Sequence, residues 1–254
     1  MDTKEKEIWV TRNHTGKMEG INSISTSVLL NEFCQAQRKI KGSICSHCYA
    51  QAMAEMYSAL GKRLAENTAV LTSEILPAEC LPITEGMDIF RFEAFGDLNN
   101  MNQLKNYINI VKKNPGTRFT LWTKRFGLVH RYFSENEVPD NFTLIISSMK
   151  LNEPVSLEQL KKLGKFKKGQ LKSFTVYDFK FIKKTGMSSS DINCGSRNCF
   201  GCRICYEANE IEEIKEILKS DREKVDKLFR WTEPELIKKQ LESLGEFDEL
   251  EDLI

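Results

Sequence analysis

The chain has 254 residues, 41% of them hydrophobic, with 37 Lys and Arg against 36 Asp and Glu and a formal net charge of +1. That length and apolar share support a sizeable core and exclude a disordered chain. No run of about eighteen apolar residues occurs and the start, Met1 to Glu7, is polar, so no membrane contact and a cytoplasmic location are expected.

In chain order, Ile8-Trp9-Val10 reads as a short strand and Ile24 to Leu30 as a better one, leading into a loop with the first cysteines. Tyr49 to about Ile75 has helical spacing and ends before Pro77 and Pro82. Strands then alternate with helices. Ile89 to Phe95 is a strand ending in Gly96-Asp97, Asn99 to Lys113 a helix, Thr117 to Thr123 a strand and Phe126 to Phe133 a short helix. Phe142 to Ile146 is an apolar strand ending in Ser147-Ser148. Ser156 to Leu163 is a helix with the Ser and Gln159 spacing of a capping box, and Ser173 to Tyr177 is the last strand.

Strands recurring about every 27 residues with helices between them predict a parallel sheet with right-handed crossovers. Five units exceed a small doubly wound sheet and fall short of a full barrel, so a partial (β/α) barrel over residues 1–206 is expected ahead of an open sheet. Residues 207–254 differ: sixteen acids face eight bases, and Ile211, Ile214, Leu218, Val225 and Leu228, then Leu236, Ile237, Leu241 and Leu244, keep helical spacing. They are expected to form a C-terminal extension of two acidic helices. Between Lys150 and Lys184 ten Lys meet three acids, which is read as solvated surface, with nucleic acid as the partner such a face would take.

Seven of the eight cysteines cluster, and Cys80 stands apart as an expected buried apolar residue. Cys194, Cys199, Cys202 and Cys205 follow C-x4-C-x2-C-x2-C, and Cys34, Cys45 and Cys48 form a second group. In a reducing compartment clustered thiols serve as ligands more often than as disulfides. Structural zinc sites use two knuckles set a dozen or more residues apart, whereas the crowded late run is closer to iron–sulfur loops. Zinc and a reactive or disulfide-forming set are the alternatives. Three early thiols would leave one iron open for chemistry, and a cluster shared between the groups is as consistent with the spacing as one cluster per group.

Ligands in parallel α/β folds bind beyond the carboxyl ends of the strands. The polar residues expected at that rim are Glu93, Asp97, Lys124, Arg125 and Ser147, with both cysteine groups beside them. His47, between Cys45 and Cys48, is a further neighbour of any metal held there. No Gly-rich phosphate loop and no Ser-His-Asp or His-Glu-x-x-His pattern appears.

Four stretches carry a resemblance: Cys34 with Cys45 and Cys48-Tyr49-Ala50; Phe90 to Leu98 with its Gly96-Asp97; Pro115 through Thr123-Lys124; and Cys194, Cys199, Cys202-Arg203-Ile204-Cys205. In this order the chain resembles the phage gene-product-88-like family across about residues 20 to 206. The resemblance implies a viral origin, hence host-cell cytoplasm, and a [4Fe-4S] cluster, one or two. It is similar in outline to radical-SAM barrels, which makes S-adenosylmethionine a candidate cofactor and an electron-transfer protein or small molecule the partner. Those enzymes use C-x3-C-x2-C, while ten residues separate Cys34 from Cys45 here. The second functional expectation is a structural zinc or cluster protein that binds nucleic acid or a host protein through the Lys-rich face.

Overall fold

The computed structural model describes residues 7–195 and 198–230. β1 (Thr11–Arg12) and β2 (Asn22–Ile24) pair antiparallel. From there every neighbour is parallel: β3 (Ile89–Phe92), β4 (Arg118–Thr123), β5 (Phe142–Ser147), β6 (Leu171–Tyr177) and β7 (Glu213–Ile217). The strands lie side by side in chain order. Each crossover therefore steps the same way, which is the winding of a barrel, whereas a doubly wound sheet reverses direction part-way. With β1 and β7 at its two edges the molecule is a partial α/β barrel, as the strand period predicts.

The helices are α1 (Glu32–Arg38), α2 (Tyr49–Met56), α3 (Ser58–Ser73), α4 (Met101–Lys113), α5 (Phe126–Glu135), α6 (Leu157–Lys161), α7 (Phe179–Thr185) and the single turn α8 (Cys199–Cys202). Alternation along the strands separates two layers. Phe90, Phe92, Phe119, Leu121, Phe142 and Leu144 face outward onto α4 and α5, where Leu104, Tyr107, Val111, Val129 and Phe133 are buried with them. Phe92 stacks on Tyr107 at 4.2 Å and on Phe119 at 5.3 Å between ring centroids. Each ring so buried contributes about 1.5–3 kcal/mol. Ile89, Trp122, Ile145, Phe174 and Ile214 face the concave side, away from α4 and α5. Their cover there is Ile21 and the segment carrying Cys194, Cys199, Ile204, Cys205 and Tyr206.

Several elements depart from expectation. Ile8 to Val10 is irregular and the edge strand falls at Thr11–Arg12, while β2 stops at Ile24 because Ser25, Thr26 and Ser27 turn into buried hydrogen bonds with neighbouring segments. The early cysteine loop contains α1, whose N-cap is Asn31. The long helix after Tyr49 breaks at Tyr57, which takes an extended backbone. Ser156 is the N-cap of α6 but makes no side-chain capping bond, and α7 follows Asp178, whose carboxylate caps it. The expected first acidic helix is corrected: Glu213–Ile217 is β7, the sixth strand of the parallel run β2 to β7. Ile214 and Ile217 are at helical spacing; in the strand they fall on opposite faces and are buried in different clusters, and pairing with the backbone of β6 decides for the strand. Residues 222–230 are helical, and the stretch from Leu236 to Leu244 lies outside the described residues. Cys80 is exposed in a short turn, not buried.

Candidate metal centres

The two cysteine groups occupy different places. Cys34, Cys45 and Cys48 lie beyond the carboxyl ends of the strands. Asn31 orients the first: its Oδ1 accepts from Cys34 N at 3.2 Å while its Nδ2 donates to the Asp97 carbonyl at 2.8 Å. The Asp97 carboxylate accepts from Thr123 Oγ1 at 2.5 Å and Lys124 N at 2.9 Å, so the ends of β3 and β4 are locked under α1. Across the rim, Ile44 N donates to Met149 O at 3.0 Å and Ser43 pairs with Lys150, which ties the Cys45 turn to the loop after β5. Ser43 Oγ then accepts from Cys45 N at 3.1 Å.

Burial pushes the Cys34 thiol well up, and Asp97 and Cys45 push the same way against Lys124. Cys45 is raised by burial and opposed by Lys124 and Ser43. Lys124 is thus the cation that faces both thiols.

The second group is not at the strand ends, which corrects the expectation of one shared rim. It lies on the concave side, held to the edge strand and to the opposite edge together. Cys194 bridges Glu216 of β7, and Asn193 clips to both Glu213 O and Lys215 N. Lys17, in the loop between β1 and β2, accepts at its carbonyl from Cys199 N at 2.8 Å; its ammonium donates to Cys194 Sγ at 3.1 Å and to Glu216 Oε1 at 2.5 Å. The carbonyl of Cys205 accepts from Thr120 Oγ1 at 3.0 Å in the middle of β4. Arg203 with Asp88 and Glu207 with Arg118 anchor the far end beside the start of β3 and β4. The segment therefore spans the seam between the sheet's edges where a full barrel has strands.

All four late cysteines line one concavity of about 330 Å³, part of it open to solvent, together with Lys17 and Tyr206. Burial raises Cys194 to about 11 despite Lys17, and raises Cys205 further, with Cys194 and Cys199 adding to it. Lys17 is held above its usual range because Glu216 and Cys194 outweigh the opposing effect of burial. The thiols acting on Cys34, Cys45, Cys194, Cys199 and Cys205 belong in each case to the same group. All eight cysteines are free, and burial raises Cys34, Cys45, Cys194, Cys199 and Cys205, which makes those five poor nucleophiles as bare thiols.

Among the described residues no three His, Cys, Asp or Glu side chains are gathered so as to hold one metal ion. A tetrahedral zinc site with Zn–S near 2.3 Å brings its sulfurs within roughly 4 Å of one another. A cubane takes thiolates at its separate corners and accepts the wider spacing of four thiols around a concavity. The donor set is one the latter takes: four soft sulfurs, an ammonium donating to one of them, and the Glu216 carboxylate held off on the same ammonium.

Residues 10–168 match the family model described as Gene product 88. The chain belongs to the Gene product 88 family. No curated protein and no solved structure matches it. The family match ends before β6, so it takes in Cys34, Cys45 and Cys48 and leaves Cys194 to Cys205 outside.

Other residues expected at the rim of this Gene product 88 protein take varied roles. Glu93 is buried at 2% exposure and fully engaged in hydrogen bonds: Oε1 accepts from Tyr107 OH and Gln103 Nε2, each at 2.6 Å, and from Thr26 Oγ1 at 3.0 Å, while Oε2 accepts from Thr26 N. Burial raises it to about 7 against those hydrogen bonds. Arg125 covers the Phe33 ring at 4.8 Å. Ser147 ends β5, buried, and His47 faces Asp221 across the rim. In the Lys-rich stretch, Lys150, Lys167 and Lys168 pair with acids and Lys172 is fully buried, so four of its ten cations are withdrawn from a uniform basic face. Among the described residues no helix is long and apolar enough to cross a membrane.

Lys17, Arg91 and Tyr206 surround the second group and carry no motif. Arg91 alone had a readable signal, a charge inside the apolar strand Ile89-Phe90-Arg91-Phe92.

Gly96 is fixed by close approach. A Cβ there would meet Thr26 O at 2.6 Å and Glu93 Oε2 closer still, and neither the backbone nor the braced carboxylate can give way. Gly96→Ala is expected to destabilise by about 3 kcal/mol, near the upper end for overpacking, read as a lowered denaturation midpoint with unchanged slope.

Proposed function

We propose that this protein is an iron–sulfur protein with one [4Fe-4S] cluster on Cys194, Cys199, Cys202 and Cys205 and a second on Cys34, Cys45 and Cys48. The observation that carries the reading is the gathering of four thiols around one concavity, with Lys17 donating to the sulfur of Cys194. Hydrogen bonds to sulfur and a sheltered setting are the means by which a protein tunes such a group. The four-thiol site, complete in protein ligands, suits electron transfer or bracing of the barrel seam. Cys34, Cys45 and Cys48 would hold a cluster by three thiols only, which would leave it able to take a small molecule; Lys124, which acts on Cys34 and Cys45, would attract a carboxylate there, and S-adenosylmethionine is the candidate.

Anaerobically reconstituted protein is expected to be brown, to absorb near about 400 nm and to contain iron and sulfide in equal amounts. Colourless protein with stoichiometric zinc would sink the reading. S-adenosylmethionine is expected to perturb the spectrum of the wild type and not that of a Cys34→Ala variant; no change in either restricts the protein to electron transfer or structure.

A further inference from the structure

Arg91 puts a guanidinium on the concave face beneath one cysteine group and beside the other. Its Cζ lies 4.4 Å from the centre of the Trp122 ring. Its hydrogen bonds are weak ones, to Met18 Sδ at 3.4 Å and to Glu93 O at 3.5 Å. Arg91 Nε is buried without a partner among the described residues, as are Trp122 Nε1 and the Tyr206 hydroxyl. No ion pair among the described residues includes Arg91. Guanidinium does not lose its charge in proteins, and a charge shielded from water without a counter-charge is destabilising.

The groups around it are Tyr206, Tyr49, Cys205 and Cys199, with no carboxylate in contact. Lys172, on the same face, is fully buried and donates to Asn209 Oδ1 at 2.6 Å and Ile211 O at 3.0 Å; its anionic neighbours are Cys205, then Glu212 and Glu207. Arg91 is thus the cation beside the late thiols that no acid among the described residues pairs with. A soft metal group on four thiolates is net negative, which supplies the missing charge.

We propose that Arg91 is the half-buried counter-ion of the metal group carried by Cys194, Cys199, Cys202 and Cys205, acting through Cys199 and Cys205 to favour its reduced state. This rests on the iron–sulfur reading above. A cation beside the cluster stabilises the state with the extra electron, so its removal lowers the reduction potential.

The test is a redox titration of full-length reconstituted wild type, Arg91→Met and Arg91→Lys, following the midpoint that disappears when Cys199 and Cys205 are replaced by Ala. Arg91→Met is expected to bind iron and sulfide as the wild type does. At the wild-type midpoint its oxidised-to-reduced ratio rises at least tenfold, about 59 mV for one electron. Arg91→Lys, which keeps the charge, stays near the wild type. An unchanged midpoint in Arg91→Met overturns the proposal, and so does an Arg91→Lys shift of the same size. Where Arg91→Met yields no folded protein by circular dichroism, Arg91→Lys decides by the same reading. Wild type without iron and sulfide overturns the iron–sulfur reading and this role with it, whereas iron present with an unmoved midpoint removes only the role of Arg91.

Discussion

Replacing Cys199 and Cys205 together by Ala is expected to halve the iron and sulfide of the reconstituted protein, and replacing Cys34 and Cys45 together to remove the other half. The expectation follows from separation. Cys34 is coupled to Cys45, and Cys205 to Cys194, Cys199 and Cys202, while Arg91 stands between the groups with Tyr49 on one side and Tyr206 on the other. The two losses should differ in their structural consequence. The late group spans the seam, with Lys17 of the β1–β2 loop gripping both Cys194 and Glu216, so its loss is expected to open residues 190–210 to protease. The early group rests on the braced Asn31, Asp97 and Thr123 network, and its loss should leave the cleavage pattern unchanged. Iron and sulfide per chain decide the matter: one double variant that empties the protein of both would mean that the seven cysteines share a single cluster.

Glu93→Ala is expected to cost about 4 kcal/mol of stability, because it leaves Tyr107 OH, the Gln103 amide and Thr26 as buried donors without their acceptor. Glu93→Gln keeps an oxygen for Tyr107 and should cost about half of that. The two variants also separate a pH effect. The carboxyl titrates at about 7 in the fold against 4.5 for an ordinary glutamate. Below pH 4.5 it is protonated folded and unfolded alike. Between 4.5 and 7 only the unfolded state has released the proton, so stability contributed by the neutral form is lost as pH rises through that window, about 3 kcal/mol in all. Wild-type protein should therefore lose urea resistance from pH 5 to pH 7.5 relative to Glu93→Gln. Parallel curves for the two proteins would show that Glu93 is ionised throughout.

The departures from the sequence reading share a cause. β3 to β6 were legible because their apolar runs and intervening amphipathic helices are local patterns, and Asp97 was legible as a polar residue at a strand end. Glu93 was legible as polar but not as inward: its backbone sits at φ 58, in the left-handed region, which turns the carboxylate under Gly96 toward Tyr107. β7 was misjudged because Ile211, Ile214 and Leu218 satisfy a helical period, and only the unpaired edge of β6 makes the strand. Lys17, Arg91, Lys172 and Tyr206 belong to no motif, and contacts such as that of Lys17 with Cys194 join residues 177 positions apart.

The four-thiol rhythm from Cys194 to Cys205, by contrast, was evident before any coordinate. By itself the sequence determined which thiols are candidate ligands, through their type and spacing, and the alternating strand and helix grammar, because both are encoded over a few residues. The tertiary structure alone decided that the late cysteines close the barrel's seam from the concave side instead of joining the early ones at the rim. That placement depends on where β7 pairs and on which face of each strand the side chains fall, quantities set by packing between segments far apart in the chain.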